Sequence, residues 1–197
     1  MVLTRVESGE VSTVYTWLAD PQNNQWLEFD EGDMANPRKL RSMLSSDTHY
    51  VRLFRASPEG DALGLVGLSN INRTLGTAMP WCVLNSDSHA GKFYMIRALS
   101  RLLEVAFDEM GLKSLHAWTV ECNIPSVRLL RHAGFRYIGR QRRCHMINGR
   151  VLDRLWFDLL DFEYRERMAR SREQAFMLAD VPPIRTFPRA RMDSSVS

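Results

Sequence analysis

A chain of 197 residues, 45% hydrophobic and 25% charged, is long enough for one domain with a continuous core and has the balance of an ordinary water-soluble fold. No apolar run approaches the roughly 18 residues that cross a bilayer, and the start MVLTRVESGE is mixed and acidic rather than basic and then apolar, so neither a membrane span nor a secretory leader is expected. A net charge of +3 is too small to argue for general nucleic-acid binding. The 3 cysteines (Cys82, Cys122, Cys144) are too few and too far apart for a disulfide framework or a CxxC metal site, so free thiols in a reducing cytoplasm and no metal are expected. Of the 26 basic residues only Lys39, Lys92 and Lys113 are lysines, a bias expected of an arginine-rich genome.

In chain order, residues 2–6 (VLTRV) read as a short strand, and Ser8 or Ser12 is placed to cap a helix running to about Leu18. Asp20-Pro21-Gln22-Asn23-Asn24 is a turn cluster. The aromatics of Trp26-Leu27-Glu28-Phe29 are expected to cover an edge of the core. A second helix follows Asn36-Pro37, with Asn36 as N-cap and Pro37 in the first helical position. Residues 49–55 alternate as a strand does, and beyond the turn at 57–61 come strands over 62–72 and 77–84. Pro80 interrupts the last of these. Proline cannot donate to a ladder, so a bulge or a sheet edge is expected there.

The clearest helix covers 90–110, where Met95, Leu99, Leu102, Leu103, Ala106 and Met110 form one apolar stripe and Gly111 is the stop. Residues 115–121 read as a strand, 124–132 as a shorter helix ended by Gly134, and strands at 135–140 and 150–160 bracket the hairpin signal Asn148-Gly149. Hairpins with helices inserted imply a mixed α/β (α+β) sheet. Residues 1–163 are expected to form the domain, and 164–197, charged and then proline-rich, a helical extension fading into a flexible tail.

Chemistry concentrates between 81 and 135. The polar loop Asn85-Ser86-Asp87-Ser88-His89-Ala90-Gly91-Lys92 opens the long helix, and free N–H groups at a helix start form an anion site suited to phosphate. The next strand ends at Glu121-Cys122-Asn123 and feeds Ile124-Pro125-Ser126 and, after a short helix, Gly134-Phe135. This block resembles the GCN5-related N-acetyltransferase (GNAT) superfamily, especially its RimJ/RimL-like branch. Trp17-Leu18-Ala19-Asp20-Pro21, Gly139-Arg140 and the Asn148-Gly149 hairpin with Asp153 extend the likeness over about residues 2–163.

The resemblance implies a mostly antiparallel central sheet with one splayed parallel pair and acetyl-CoA as acyl donor. It places the cofactor's diphosphate on Ser88, His89, Ala90, Gly91, Lys92, Phe93 and Tyr94, where Gly91 matches the family pattern. Ser88 and Phe93 depart from it, and the Phe93 ring is expected to turn into the core. Trp81, Cys82 and Val83 would offer main-chain groups to the pantetheine arm, and Asn123 and Ser126 would flank the thioester. Asn123 is also expected to cap the short helix.

Acetyl transfer needs a neutral amine, an oxyanion donor and a proton for the leaving thiolate. An α-amine is about one-tenth neutral at pH 7, whereas a lysine-like amine is neutral in well under one part in a thousand. Glu121 is the candidate base and Ser126 the candidate proton donor, because Leu130 stands where many GNAT enzymes carry a tyrosine. His116 is read as structural, Trp26, Phe29 and Trp118 as core, and Cys82 and Cys122 as having no nucleophilic role. The acceptor is a primary amine, either a protein N-terminus or a small amine such as an amino sugar, polyamine or antibiotic; a homodimer is open. Two rivals are a GNAT-fold protein that binds acyl-CoA or a partner without turnover and an RNA-directed transferase. The second is motivated by the Arg140-Gln141-Arg142-Arg143 run, which reads otherwise as an exposed strand and turn.

Overall fold

The computed structural model describes residues 1–27, 37–85 and 91–179. Within them the alternating and apolar segments pair into a seven-stranded sheet ordered β1-β2-β3-β4-β5-β7-β6. Its strands are β1 (Val2–Thr4), β2 (Tyr50–Arg55), β3 (Ala62–Asn72), β4 (Thr77–Leu84), β5 (Ser114–Val120), β6 (Arg136–Ile147) and β7 (Arg150–Leu160). Neighbours are antiparallel except β4 and β5, which run parallel and meet only at Thr77–Ser114 and Ala78–Leu115. Beyond that point they diverge.

Helices cover both faces. On one lie α1 (Val11–Ala19) and α3 (Pro37–Ser45), whose Val14, Trp17, Leu18 and Leu40 pack on Leu53, Leu65 and Val83. On the other lie α4 (Gly91–Glu104), α5 (Ile124–Ala133) and the start of α6 (Asp161–Ala179). The stripe Met95, Ala98, Leu99, Leu102 and Ala106 is buried there against Val66, Leu68, Leu115 and Phe157. Among the described residues no helix is long and apolar enough to cross a membrane.

Several local expectations are corrected. Neither Ser8 nor Ser12 caps α1; a 3₁₀ turn over Ser8–Glu10 precedes it, and the Glu7 N–H donates to the Glu10 carboxylate at 3.0 Å. The turn cluster at 20–24 is a one-turn helix, α2 (Pro21–Asn24), because Asp20 accepts the Gln22 N–H and Pro21 has a preset φ. The 90–110 helix leaves α geometry after Glu104 for a π-helical turn, Val105–Glu109, closed by Met110 N–H to Val105 O at 2.8 Å. That wider turn places Phe107 against Tyr164, with ring centroids 4.9 Å apart. Tyr164 is buried in the main core, where apolar packing and nearby Asp108 push its hydroxyl up to about 12. The core thus reaches past residue 163. Strand β6 runs to Ile147, well beyond 140, and carries the arginine run on its exposed length.

Pro80 sits where the divergence begins. Toward β5 this stretch of β4 is locally an edge, so the missing N–H costs no ladder bond there. The Asn148-Gly149 hairpin forms with φ of 49° and 75°, the left-handed pair a type I′ turn demands. The Asn36 cap and the tail from 180 onward lie outside the described residues.

Candidate active site

The divergence of β4 from β5 opens a cleft of about 300 Å³. Met79, Pro80, Trp81 and Cys82 form one wall, Ala117 and Trp118 the other, and Leu99 of α4 with Ser126, Leu129 and Leu130 of α5 line the remainder. Trp81 reaches its place because β3 offers Gly67 beneath it: a Cβ there would meet the indole at 2.5 Å. On β3 the register with β4 shifts between Ser69 and Asn72, and Asn70 takes a left-handed φ of 52°. Asn tolerates that conformation better than most residues. This bulge holds the turn before β2, since the Ile71 N–H donates to Thr48 O at 3.0 Å. The turn in turn delivers His49 to the cleft beside Asn70.

Of the residues singled out from the sequence, Trp81, Cys82 and Ser126 line the cleft. Asn123 caps α5, its Oδ1 accepting the Ser126 N–H at 3.3 Å, and Gly134 ends that helix at φ 100°. Val83 lies on the opposite face from Cys82, in the core under α1 and α3, because strand side chains alternate; Trp81 shares that face and also reaches the cleft lining. Burial pushes the Cys82 thiol up to about 11, which keeps it protonated and non-nucleophilic at neutral pH.

Glu121 is not brought to the cleft lining. Its Oε2 pairs with Arg140 at 3.0 Å, and its Oε1 accepts the Asp153 N–H at 3.1 Å, so the carboxylate fastens the end of β5 to the β6–β7 hairpin. Ser88, His89 and Ala90 lie outside the described residues, as does the side chain of Lys92. Phe93 does not turn into the core: it is 72% exposed and stands edge-on to Tyr94 at 5.3 Å. The reason is helical phase, since position 93 lies about 200° around α4 from the buried Met95. Tyr94 packs at the margin of the core.

Sequence reasoning also missed residues. His49 reads as the first polar position of a strand; nothing local marks it as cleft-lining. Trp118 is not simply core, since one side of it lines the cleft and the Arg154 guanidinium lies 4.0 Å over its ring. Arg154 is buried and donates to His145 Nδ1 at 3.1 Å, which leaves Nε2 as the N–H that Gln25 O accepts at 2.7 Å. These contacts tie β7, β6 and the end of α2 into one roof. His116 lies outside the cleft lining, stacked on Trp156 at 6.4 Å.

The cleft suits the arm of a CoA thioester on an observation of the backbone. Past Ala78 and Leu115 the facing edges of β4 and β5 have no strand partner, so their N–H and C=O groups are open to an amide-bearing chain laid between them. A model of the acetyltransferase (GNAT) domain matches residues 1–136. The chain belongs to the GNAT acetyltransferase family. As a GNAT member it is an acyl-CoA-dependent N-acetyltransferase. It is 25% identical over 169 residues to "Uncharacterized N-acetyltransferase p20" of Bacillus licheniformis, covering 83% of this chain and 94% of that protein. It is 32% identical over 121 residues to "Probable N-acetyltransferase YjcK" of Bacillus subtilis, covering 60% of this chain and 66% of that one.

Solved structures similar to this GNAT fold include the spermidine N-acetyltransferase of Vibrio cholerae in complex with CoA and spermine. It matches at TM-score 0.73 and 18% identity, covering 83% of this chain and 97% of that one. A manganese complex of the same Vibrio enzyme matches at TM-score 0.70 and 20% identity, over 84% and 95% of the two chains. Likeness at this identity concerns the fold: the mixed sheet with its diverging parallel pair is that of GNAT enzymes.

Proposed function

We propose that this chain moves the acetyl group of acetyl-CoA onto a small primary amine, by direct attack of the amine in a ternary complex, as a cytoplasmic enzyme of the RimJ/RimL-like branch. The observation that carries the reading is the β4–β5 cleft, open-edged on both walls and closed behind by Ser126 and Leu130. Acetyl-CoA supplies the acyl group as an activated thioester. Main-chain groups of Trp81 and Cys82 hold the pantetheine arm, and the start of α4, with Gly91 and Lys92, meets the diphosphate through its positive dipole end. Asn123 orders the first turn of α5 and so sets Ser126, which gives its proton to the departing sulfur and is reprotonated from solvent.

A small acceptor is chosen over a protein N-terminus. The complex of the similar Vibrio cholerae enzyme with CoA and spermine supports the same choice. The branch assignment rests on Trp17-Leu18-Ala19-Asp20-Pro21, where Trp17 and Leu18 are buried and Asp20 caps α2.

The test is steady-state release of free CoA thiol with polyamines, amino sugars and short peptides bearing a free α-amine. Turnover at least tenfold faster with one of the small amines than with any peptide is expected. Faster turnover with peptides overturns the acceptor assignment in favour of N-terminal acetylation. Acetyl-CoA binding without CoA release in the presence of any amine overturns the catalytic reading in favour of a binding protein.

A further inference from the structure

We infer that His49 is the general base of the acetyl transfer, taking the amine proton at Nε2 while the Thr48 and Ser46 hydroxyls hold its Nδ1–H. The inference rests on the acetyltransferase reading above and adds a residue to it. Among the described residues that line the cleft, His49 and Cys82 are the titratable ones. The rest of the cleft lining includes Met43 from α3, Asn70 from β3, Cys82 from β4, Leu99 from α4, Trp118 from β5 and Ser126 from α5, and none of it is a carboxylate or a cation. Asp47 shares the turn but lies outside the lining. The thiol of Cys82 is held protonated by burial and cannot accept a proton at neutral pH. His49 is thus the described cleft group whose chemistry permits it.

The surroundings of the ring also suit the role. Nδ1 lies 3.0 Å from Thr48 Oγ1, which lies 2.8 Å from Ser46 Oγ. With Nδ1–H donating to Thr48 and Thr48 donating to Ser46, the lone pair is left on Nε2, a nitrogen with no hydrogen bond from the described residues. Partial burial holds the imidazole below its ordinary 6.5, keeping it neutral and able to accept a proton at pH 7. The turn is not free to drift, because Ile71 of the strained β3 bulge holds Thr48 O.

The proton balance is complete. An alkylammonium gives one proton to His49 Nε2, and the neutral nitrogen forms the C–N bond to the acetyl carbon. The C–S bond breaks, its electron pair leaving on sulfur, which takes a proton through Ser126 as the new amide nitrogen loses one. His49 then gives the added proton from Nε2 to water as the products leave, so Nδ1–H stays on Thr48 and the lone pair returns to Nε2. The products are the N-acetyl amine, CoA thiol and one proton released to water.

The experiment compares wild type and His49→Gln with one alkylamine substrate and with its fluorinated analogue, which is neutral at pH 7 and needs no base. For the basic amine kcat/KM is expected to fall roughly 10²–10³-fold, while the fluorinated amine loses less than about fivefold and the thermal shift caused by acetyl-CoA is retained. An equal loss for both amines marks a structural role and overturns the assignment, as does no loss for either. Should the variant fail to fold, an NMR titration of the wild-type imidazole decides: His49 is expected to be neutral at pH 7, and a charged ring there overturns the proposal. Wild type that turns over while His49→Gln is unimpaired sinks the His49 role alone. Wild type that never releases CoA sinks the acetyltransferase reading first.

Discussion

Two adjoining strand pairs of this sheet behave in opposite ways. Strands β4 and β5 pair at two positions and part, leaving open backbone edges around a cleft whose described lining carries no carboxylate and no cation. Strands β6 and β7 stay together from Arg136–Asp158 to Ile147–Arg150, interrupted by two register shifts, and the hairpin is laced with charge. Arg140 bridges Glu121 and Asp153, and the Arg143 N–H donates to Asp153 at 2.8 Å. Where pairing is abandoned, backbone groups are released for a ligand. Where it is kept, charged side chains are consumed in holding the hairpin. Glu121, the carboxylate nearest the centre in sequence, belongs to the second region.

The contrast is most severely tested at Gly67. Gly67→Ala puts a Cβ 2.5 Å from the Trp81 ring and 2.9 Å from Tyr50 O, so the cleft wall must shift. A loss of about 1–3 kcal/mol in urea denaturation is expected, with weaker acetyl-CoA binding. Wild-type stability would mean that the wall does not rest on Gly67.

Occupancy of the cleft comes next. At acetyl-CoA near 100 times Kd, stability is expected to rise by about 2.7 kcal/mol, or about 5–10 °C in Tm for a chain of this size. Absence of any shift with acetyl-CoA or CoA would falsify the placement of the donor between β4 and β5.

Smaller effects separate the two carboxylate and hydroxyl candidates. Ser126→Ala is expected to lower kcat about tenfold, equivalent to roughly 1.4 kcal/mol of barrier, with little change in KM for acetyl-CoA; a change confined to KM would make Ser126 a binding residue. Glu121→Gln is expected to leave kcat/KM within about threefold, because the carboxylate fastens the hairpin. A hundredfold loss would return it to the active centre.

The smallest effect is a local response to acid. The Arg143 N–H, and then the Arg140 guanidinium, hold the Asp153 carboxyl below its ordinary 3.8. Its folded pKa is thus depressed, so its contribution to hairpin stability is present above about pH 4 and is lost as pH falls through the folded value. Amide exchange protection in β6 is expected to fall below that pH while β3 keeps its protection. A uniform loss across the sheet would show that Asp153 has no local role.

How far the sequence reached depends on the range of the interaction concerned. The period-two run of β2, the strand segments of β3 and β5, the apolar stripe of α4, the Asn148-Gly149 turn and the Asn123 cap are set by residues within a few positions of one another, and all were legible. So was the need for a bulge or an edge at Pro80, since a proline restricts its own backbone wherever it stands. The Asn123-x-x-Ser126 block and Gly134-Phe135 carried the resemblance to GNAT enzymes, which the match over residues 1–136 bears out.

What no local pattern contains is which side chains meet. Glu121 and Asp153 lie 32 positions apart, and only the β5–β7 pairing turns one into a hydrogen-bond acceptor for the other. His49 becomes a cleft residue because the β3 bulge near Asn70 grips Thr48 from more than 20 positions away. Arg154 lies over Trp118 because the antiparallel pairing of β5 with β7 makes them diagonal neighbours on one face. Element types follow from backbone preference and short-range periodicity, which the sequence by itself determined. The composition of the cleft follows from register and strand divergence, properties of the assembled sheet that only the tertiary structure decided.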